Sequence, residues 1–173
     1  MSRAFVKEDD AGEAPIIAPR AALPAGTPNY VTPRGLEQLK TELLELELQR
    51  AKVEQDREDQ ANRTRQLTIL KTQTNALLER LNSAKVINPT DQPQDQVRFG
   101  ARVTIETKKG PKPGLKRTFT IVGVDEASLP EGRIAFVAPI AKALQGASLG
   151  QELPLKFGPT EEVVQVVEIA YDS

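Results

Sequence analysis

Between residues 32 and 84 the apolar positions recur at alternating steps of three and four. Leu36, Leu39, Leu43, Leu46 and Val53 form one row, interrupted at Arg50. Leu67, Leu70, Leu77, Leu81 and Ala84 form a second, with Thr74 as its polar member. Such spacing lays one apolar stripe along each of two helices, as in a coiled-coil seam. The rows mirror each other about Gln60. The spacing therefore predicts an antiparallel hairpin, with Leu43 against Leu77 and Leu39 against Leu81 as its dry middle. Thr32 is placed to cap the first helix and Pro33 suits its first turn. About 25 residues per arm make a rod roughly 37 Å long at 1.5 Å per residue.

After the second row the period changes. The stretch NPTDQPQDQ (88–96) is polar and carries two prolines, which stop the second helix. ARVTIETK, KRTFTIVGV, RIAFVA, ELPLKF and EEVVQVVEIAY then read as strands, rich in Val, Ile, Thr and Phe. PIAKALQG reads as one short helix, opened by Pro139 and closed by Gly146, with Ile140 and Leu144 facing the core. The expected fold class is α+β: a long hairpin, then a small antiparallel sheet on one short helix. Residues 1–30, rich in Pro, Ala and Gly without periodicity, read as a mostly disordered tail. The expected division is tail 1–30, hairpin 31–88, linker 89–97 and sheet domain 98–173.

Composition removes whole classes of chemistry. The chain of 173 residues contains no cysteine and no histidine. Disulfides, thiol catalysis, zinc fingers and Ser-His or Cys-His nucleophiles are excluded. Any metal would be held by carboxylates, which suits a hard ion such as Mg²⁺. A formal net charge of -1 argues against nucleic-acid binding through bulk positive charge. No apolar run is long enough to span a membrane, and the N-terminus lacks a signal-peptide pattern, so a cytoplasmic location is expected.

Two clusters of charge remain. VEQDREDQANRTRQL (53–67) sets Asp56, Glu58 and Asp59 beside Arg57, Arg63 and Arg65 at the expected bend. This is either a solvated turn or the working end of the rod. KKGPKPGLKR (108–117) gathers Lys108, Lys109, Lys112, Lys116 and Arg117. It reads as a solvated β-turn protecting a sheet edge, or as a contact for RNA, DNA or an acidic surface.

VTPRGLEQLKTEL at the start of the first helix resembles the T-x-x-G-x-x-x-L-x-x-E-L opening of the Gre factors (GreA/GreB) of bacterial transcription elongation. AKVIN (84–88) resembles that family's helix exit, RFGARVTIE its first C-terminal strand, and APIAKALQGASLGQEL its stretch SPIGRALLGKKVGDEV. The likeness covers about residues 31 to 173. It implies an FKBP-like C-terminal domain that docks at the rim of the RNA polymerase secondary channel, with Pro139 and Lys142 on the docking side. It implies that the hairpin enters the channel as a monomeric cofactor and is not itself an enzyme. Asp56 and Asp59, with Glu58 as substitute, would then help hold a Mg²⁺ of the polymerase, and no metal would be bound tightly outside that complex. The polymerase would hydrolyse backtracked RNA near its 3′ end.

The tip DREDQANR is similar to the family's G-D-x-x-E-N-A-E-Y, but not identical. Gln60 stands for the Asn, Asn62 for the third acid, Arg63 for the aromatic and Gln55 for the Gly. The first arm is about ten residues shorter than the family's and the second about three. A non-cleaving relative that occupies the channel is the alternative, and a coiled-coil adaptor or chaperone a more distant one. Prolyl isomerase activity, which an FKBP-like fold raises, needs an aromatic-lined pocket. Phe99, Phe119, Phe136, Phe157 and Tyr171 supply few rings for one.

Overall fold

The computed structural model describes residues 15–172. Helix α1 spans Pro33–Gln55 and helix α2 spans Gln60–Ser83. Thr32 caps α1 as expected, its Oγ1 accepting from Gly35 N–H at 3.0 Å, with Pro33 in the first turn. The seam is built on Leu39, Leu46, Leu70 and Leu77, all buried, with Leu36, Leu43, Val53, Leu81 and Ala84 packed around them. Removing a leucine side chain such as Leu77, which is 0% exposed, from water contributes about 2–3 kcal/mol.

The reversal falls ahead of the expected point. Gln60 is the first residue of α2, and the bend occupies 56–59. Its mid-point lies between Arg57 and Glu58, and Leu39 with Leu77, and Leu46 with Leu70, are equidistant from it to within one residue. Capping sets this position. Asp56 follows the last residue of α1, its backbone N–H donating to the Val53 carbonyl, and the Asp59 carboxylate caps the start of α2 by accepting from Asn62 N–H.

Two short strands close the base of the hairpin. β1 (Asn29–Val31) pairs in parallel with β2 (Ala84–Val86). Helix α2 therefore stops well before the prolines of the linker. Its end is held by Asn29, whose Nδ2 donates to the Arg80 carbonyl at 2.9 Å and to Ser83 Oγ at 3.2 Å. The segment expected as a tail to residue 30 is ordered at its end, because Asn29 and Tyr30 lie in β1 and Arg20 is ion-paired. Phe5, which together with the Ile16–Ile17 pair the tail sequence offers as a small docking point, lies outside the described residues.

The C-terminal sheet comprises β3 (Arg102–Lys109), β4 (Lys116–Val122), β5 (Arg133–Ala135), β6 (Glu152–Phe157) and β7 (Thr160–Ala170). Their order is β5-β4-β3-β7-β6. The sheet is mixed, not wholly antiparallel: β4 and β5 run in parallel, joined through 3-10 turns at Val124–Glu126 and Leu129–Glu131. β5 covers only half of RIAFVA. Helix α3 (Pro139–Leu144) buries Ala141 and Leu144 against the sheet, with Ile140 partly covered. Val97, at the end of the expected linker, is fully buried in this core.

The two parts meet at a joint. Tyr30 packs its ring against Phe99 and Phe136, at centroid distances of 5.8 and 5.5 Å. Glu126 is buried beneath the start of α1. It accepts from Thr32 N at 3.1 Å, from Thr32 Oγ1, and from Arg133 Nη2 at 3.0 Å. Gly35 is required there, since a Cβ would collide with the Glu126 carboxylate. The spacing of Thr32 and Gly35 thus encodes a capped helix with room for a carboxylate from the other domain.

Candidate functional site

The bend carries the acidic residues singled out in the sequence, and all three are exposed. Asp56 Oδ1 accepts from Glu58 N at 3.0 Å, and Asp59 Oδ1 accepts from Asn62 N at 3.0 Å. One oxygen of each carboxylate thus orders the backbone. Among the described residues, neither Oδ2 has a protein partner. These are hard oxygen donors, of the kind Mg²⁺ takes. Among the described residues, however, no three acidic side chains converge tightly enough to hold an ion by themselves. The donor set fits a share in a site completed by another molecule, not a free-standing one.

The cations at the tip are only partly drawn in. Arg50 pairs with Glu54 at 3.0 Å along α1. Arg63 lines a shallow groove of about 290 Å³ with Glu54, Thr64, Leu67, Thr68 and Lys71. Arg57 and Arg65 are exposed. The end of the rod thus presents exposed charge of both signs.

Pro139 and Lys142 lie exposed on α3, on the side away from buried Ala141 and Leu144. Ala138 precedes the helix without a side-chain cap. Lys108 and Lys109 end β3, with Lys108 Nζ 3.6 Å from Glu106, and Lys112 is exposed in the turn. Arg117 does not belong to this basic turn. Strand alternation carries it inward, where Nη2 donates to Glu162 Oε1 and to Thr107 Oγ1 at 3.0 and 2.9 Å. Its guanidinium also lies 3.8 Å above the Phe157 ring. The hydrogen bond from Arg117 holds the Glu162 carboxyl below the usual carboxylate range.

The aromatics are spent on packing. Phe99 and Phe136 meet each other and Tyr30, and the grooves at the joint and the tip have no aromatic lining. Sequence reasoning missed the joint altogether. Tyr30, a lone aromatic just ahead of the cap, was the available signal for it.

Known proteins resemble this chain in sequence. The family described as "Transcription elongation factor, GreA/GreB, C-term" matches residues 92–171. Transcription elongation factor GreB of Pseudomonas aeruginosa is 32% identical over 160 residues, covering 85% of this chain and 92% of that protein. GreB of Neisseria meningitidis serogroup A is 30% identical over 159 residues, covering 84% and 95%. A solved GreA/GreB factor from Nitrosomonas europaea aligns over 82% of this chain and 98% of its own, at 19% identity and a TM-score of 0.41. Among the described residues no helix is long and apolar enough to cross a membrane. With a relative of this identity matched over nearly its whole length, the chain belongs to the GreA/GreB family of transcription elongation factors.

Proposed function

We propose that this protein binds RNA polymerase through its C-terminal domain and stimulates the polymerase's own cleavage of backtracked RNA with the tip of its hairpin. The observation that carries the reading is the placement of Asp56 and Asp59. Both stand at the far end of a rod about 34 Å long, exposed and locally ordered. Pro139 and Lys142 on α3, with Lys108, Lys109 and Lys112 on the turn, offer exposed contacts for the rim of the secondary channel. The location that follows is the cytoplasm.

In this reading the chain supplies position and charge. The backbone N–H groups of Glu58 and Asn62 fix the orientation of the two carboxylates before the partner is met. The remaining oxygens are the ones that would hold a Mg²⁺ shared with the polymerase, with Glu58 within reach as a substitute. Bound there, that ion would orient the attacking water or stabilise the leaving oxygen of the phosphodiester. The rod fills the channel and excludes bulk water around the site.

A second reading, occupancy of the channel without cleavage, has its own support. Among the described residues no three acidic side chains converge on one point. A stalled, backtracked complex of the cognate polymerase separates the two. The expected result is faster transcript shortening with the parent protein, and none with the Asp56→Asn/Asp59→Asn double variant, at equal binding. Asn caps helices as well as Asp, so the amides remove charge without unfolding the tip. Binding without any shortening would install the second reading; failure to bind would remove both and favour the adaptor.

A further inference from the structure

Arg20 lies in the segment ahead of the hairpin, outside both cores, and yet among the described residues of that segment it is the most heavily bonded side chain. Its Nη1 and Nη2 donate to the two carboxylate oxygens of Glu42, on α1, at 2.6 and 2.9 Å. Its Nε and Nη2 donate to Asp125 Oδ1, in the sheet domain, at 3.2 and 3.1 Å. The other oxygen of Asp125 accepts from Arg80 Nη1, on α2, at 2.9 Å, and Arg80 also donates to the Ala21 carbonyl. One carboxylate, 6% exposed, thus ties together the leading segment, both helices and the sheet domain. A groove of about 930 Å³ lies under this crossing, lined in part by Ile17, Pro19, Leu46 and Ala76.

The leverage is what matters. The Glu126–Thr32 bonds and the Tyr30 ring hold α1 at its start and the Arg80–Asp125 pair holds α2 near its end, so these contacts grip the hairpin only at its base, which leaves a pivot. Glu42 is ten residues further along, about 15 Å up the helix axis, and a second attachment at that height opposes tilting. The tip at Asp56 lies about 36 Å from the cap, so a tilt of about 5° would carry it about 3 Å sideways. Carboxylate ligation of a hard ion tolerates only about 0.2 Å.

We infer that Arg20 is a positioning residue: the segment around it is a strap that fixes the angle of the hairpin on the sheet domain, and so the place to which the tip is delivered. This deepens the polymerase reading given above and rests on it for its purpose, though not for its geometry. Arg suits the position because its planar fork serves two carboxylates at once, which an ammonium on a flexible stem does not.

The absence of cysteine allows two spin labels to be placed cleanly, through Arg57→Cys at the bend and Lys156→Cys on β6. Pulsed dipolar spectroscopy on the free protein should give one narrow distance. Arg20→Ala should shift or widen it by about 3 Å, the reach of the tilt above. Arg20→Lys should have a smaller effect, and Lys52→Ala on the open face of α1 none. Asp125→Asn, which preserves size, should repeat the result, so the measurement survives if one variant folds poorly. In the cleavage assay Arg20→Ala should lower the maximal rate about ten-fold or more while leaving the half-saturating concentration unchanged. An unchanged distance distribution in both variants would overturn the strap, as would weaker binding with an undiminished maximal rate. If the parent protein cleaves nothing, the polymerase reading fails alone, and the distances still decide the strap.

Discussion

The two ends of the hairpin use the same residue types under opposite conditions. At the bend, Asp56, Glu58 and Asp59 stand beside Arg57, Arg63 and Arg65 in or near solvent. At the base, Asp125 and Glu126 meet Arg20, Arg80 and Arg133, with the two carboxylate side chains only 6% and 1% exposed. Water and salt screen the first set, so its mutual attractions are weak and its charges stay available to a partner. The second set has lost its hydration and is committed to its partners; taking one away leaves a stranded charge. Burial, not composition, separates the end that can act from the end that holds.

This contrast predicts a steep gradient of mutational cost. Glu126→Ala strands the Arg133 guanidinium, leaving it only Glu131 at 3.7 Å, and strips Thr32 of its partner. It should destabilise the protein by about 4 kcal/mol, read from urea denaturation. Leu77→Ala, in the seam between the ends, should cost about 3 kcal/mol by the same measurement. Asp59→Ala removes the cap of α2 for about 1 kcal/mol, whereas Asp59→Asn should lie close to the parent. Arg50→Ala, at an exposed pair less than two turns from the tip, should change stability by less than about 0.5 kcal/mol. If the tip substitutions cost as much as those at the joint, the division between acting and holding ends collapses.

The Arg117–Glu162 pair sharpens the comparison through pH. Its folded carboxyl is depressed by the hydrogen bond from Arg117. The stabilisation is therefore present above the unfolded value of about 4.3 and is lost as pH falls through the folded one. Glu162→Gln should weaken the fold near neutrality, and the gap from the parent should close as denaturation curves are taken to about pH 3.

Much of the architecture was legible because it repeats. The leucine steps of three and four mark both arms, and the alternation of VTIET and VVQVVEIA marks the central strands, since each period corresponds to one buried face. The bend falls at 56–59 and not at Gln60 because the leucine period locates the two helices but not the turn between them, which the Asp59 cap fixes. β1 and β2 were missed for want of length: three residues carry no period. The parallel pairing of β4 with β5 depends on a return path through two tight turns, where adjacency in the chain suggests a hairpin. Arg117 was counted with the turn because charge is visible in a sequence and inward rotation is not.

The residue order alone determined two leucine-striped helices of matched length, a capped start at Thr32, acids at the reversal, and a Val- and Ile-rich sheet to follow. Those features rest on interactions between near neighbours or on a repeated period, and both can be read along a line. The joint belongs to the tertiary structure. Arg20 finds Asp125 across 105 residues, and Thr32 finds Glu126 across 94, only once the sheet has formed and brought that turn beneath the helix. Single long-range ion pairs leave no periodic trace, yet they set the angle from which the tip is presented.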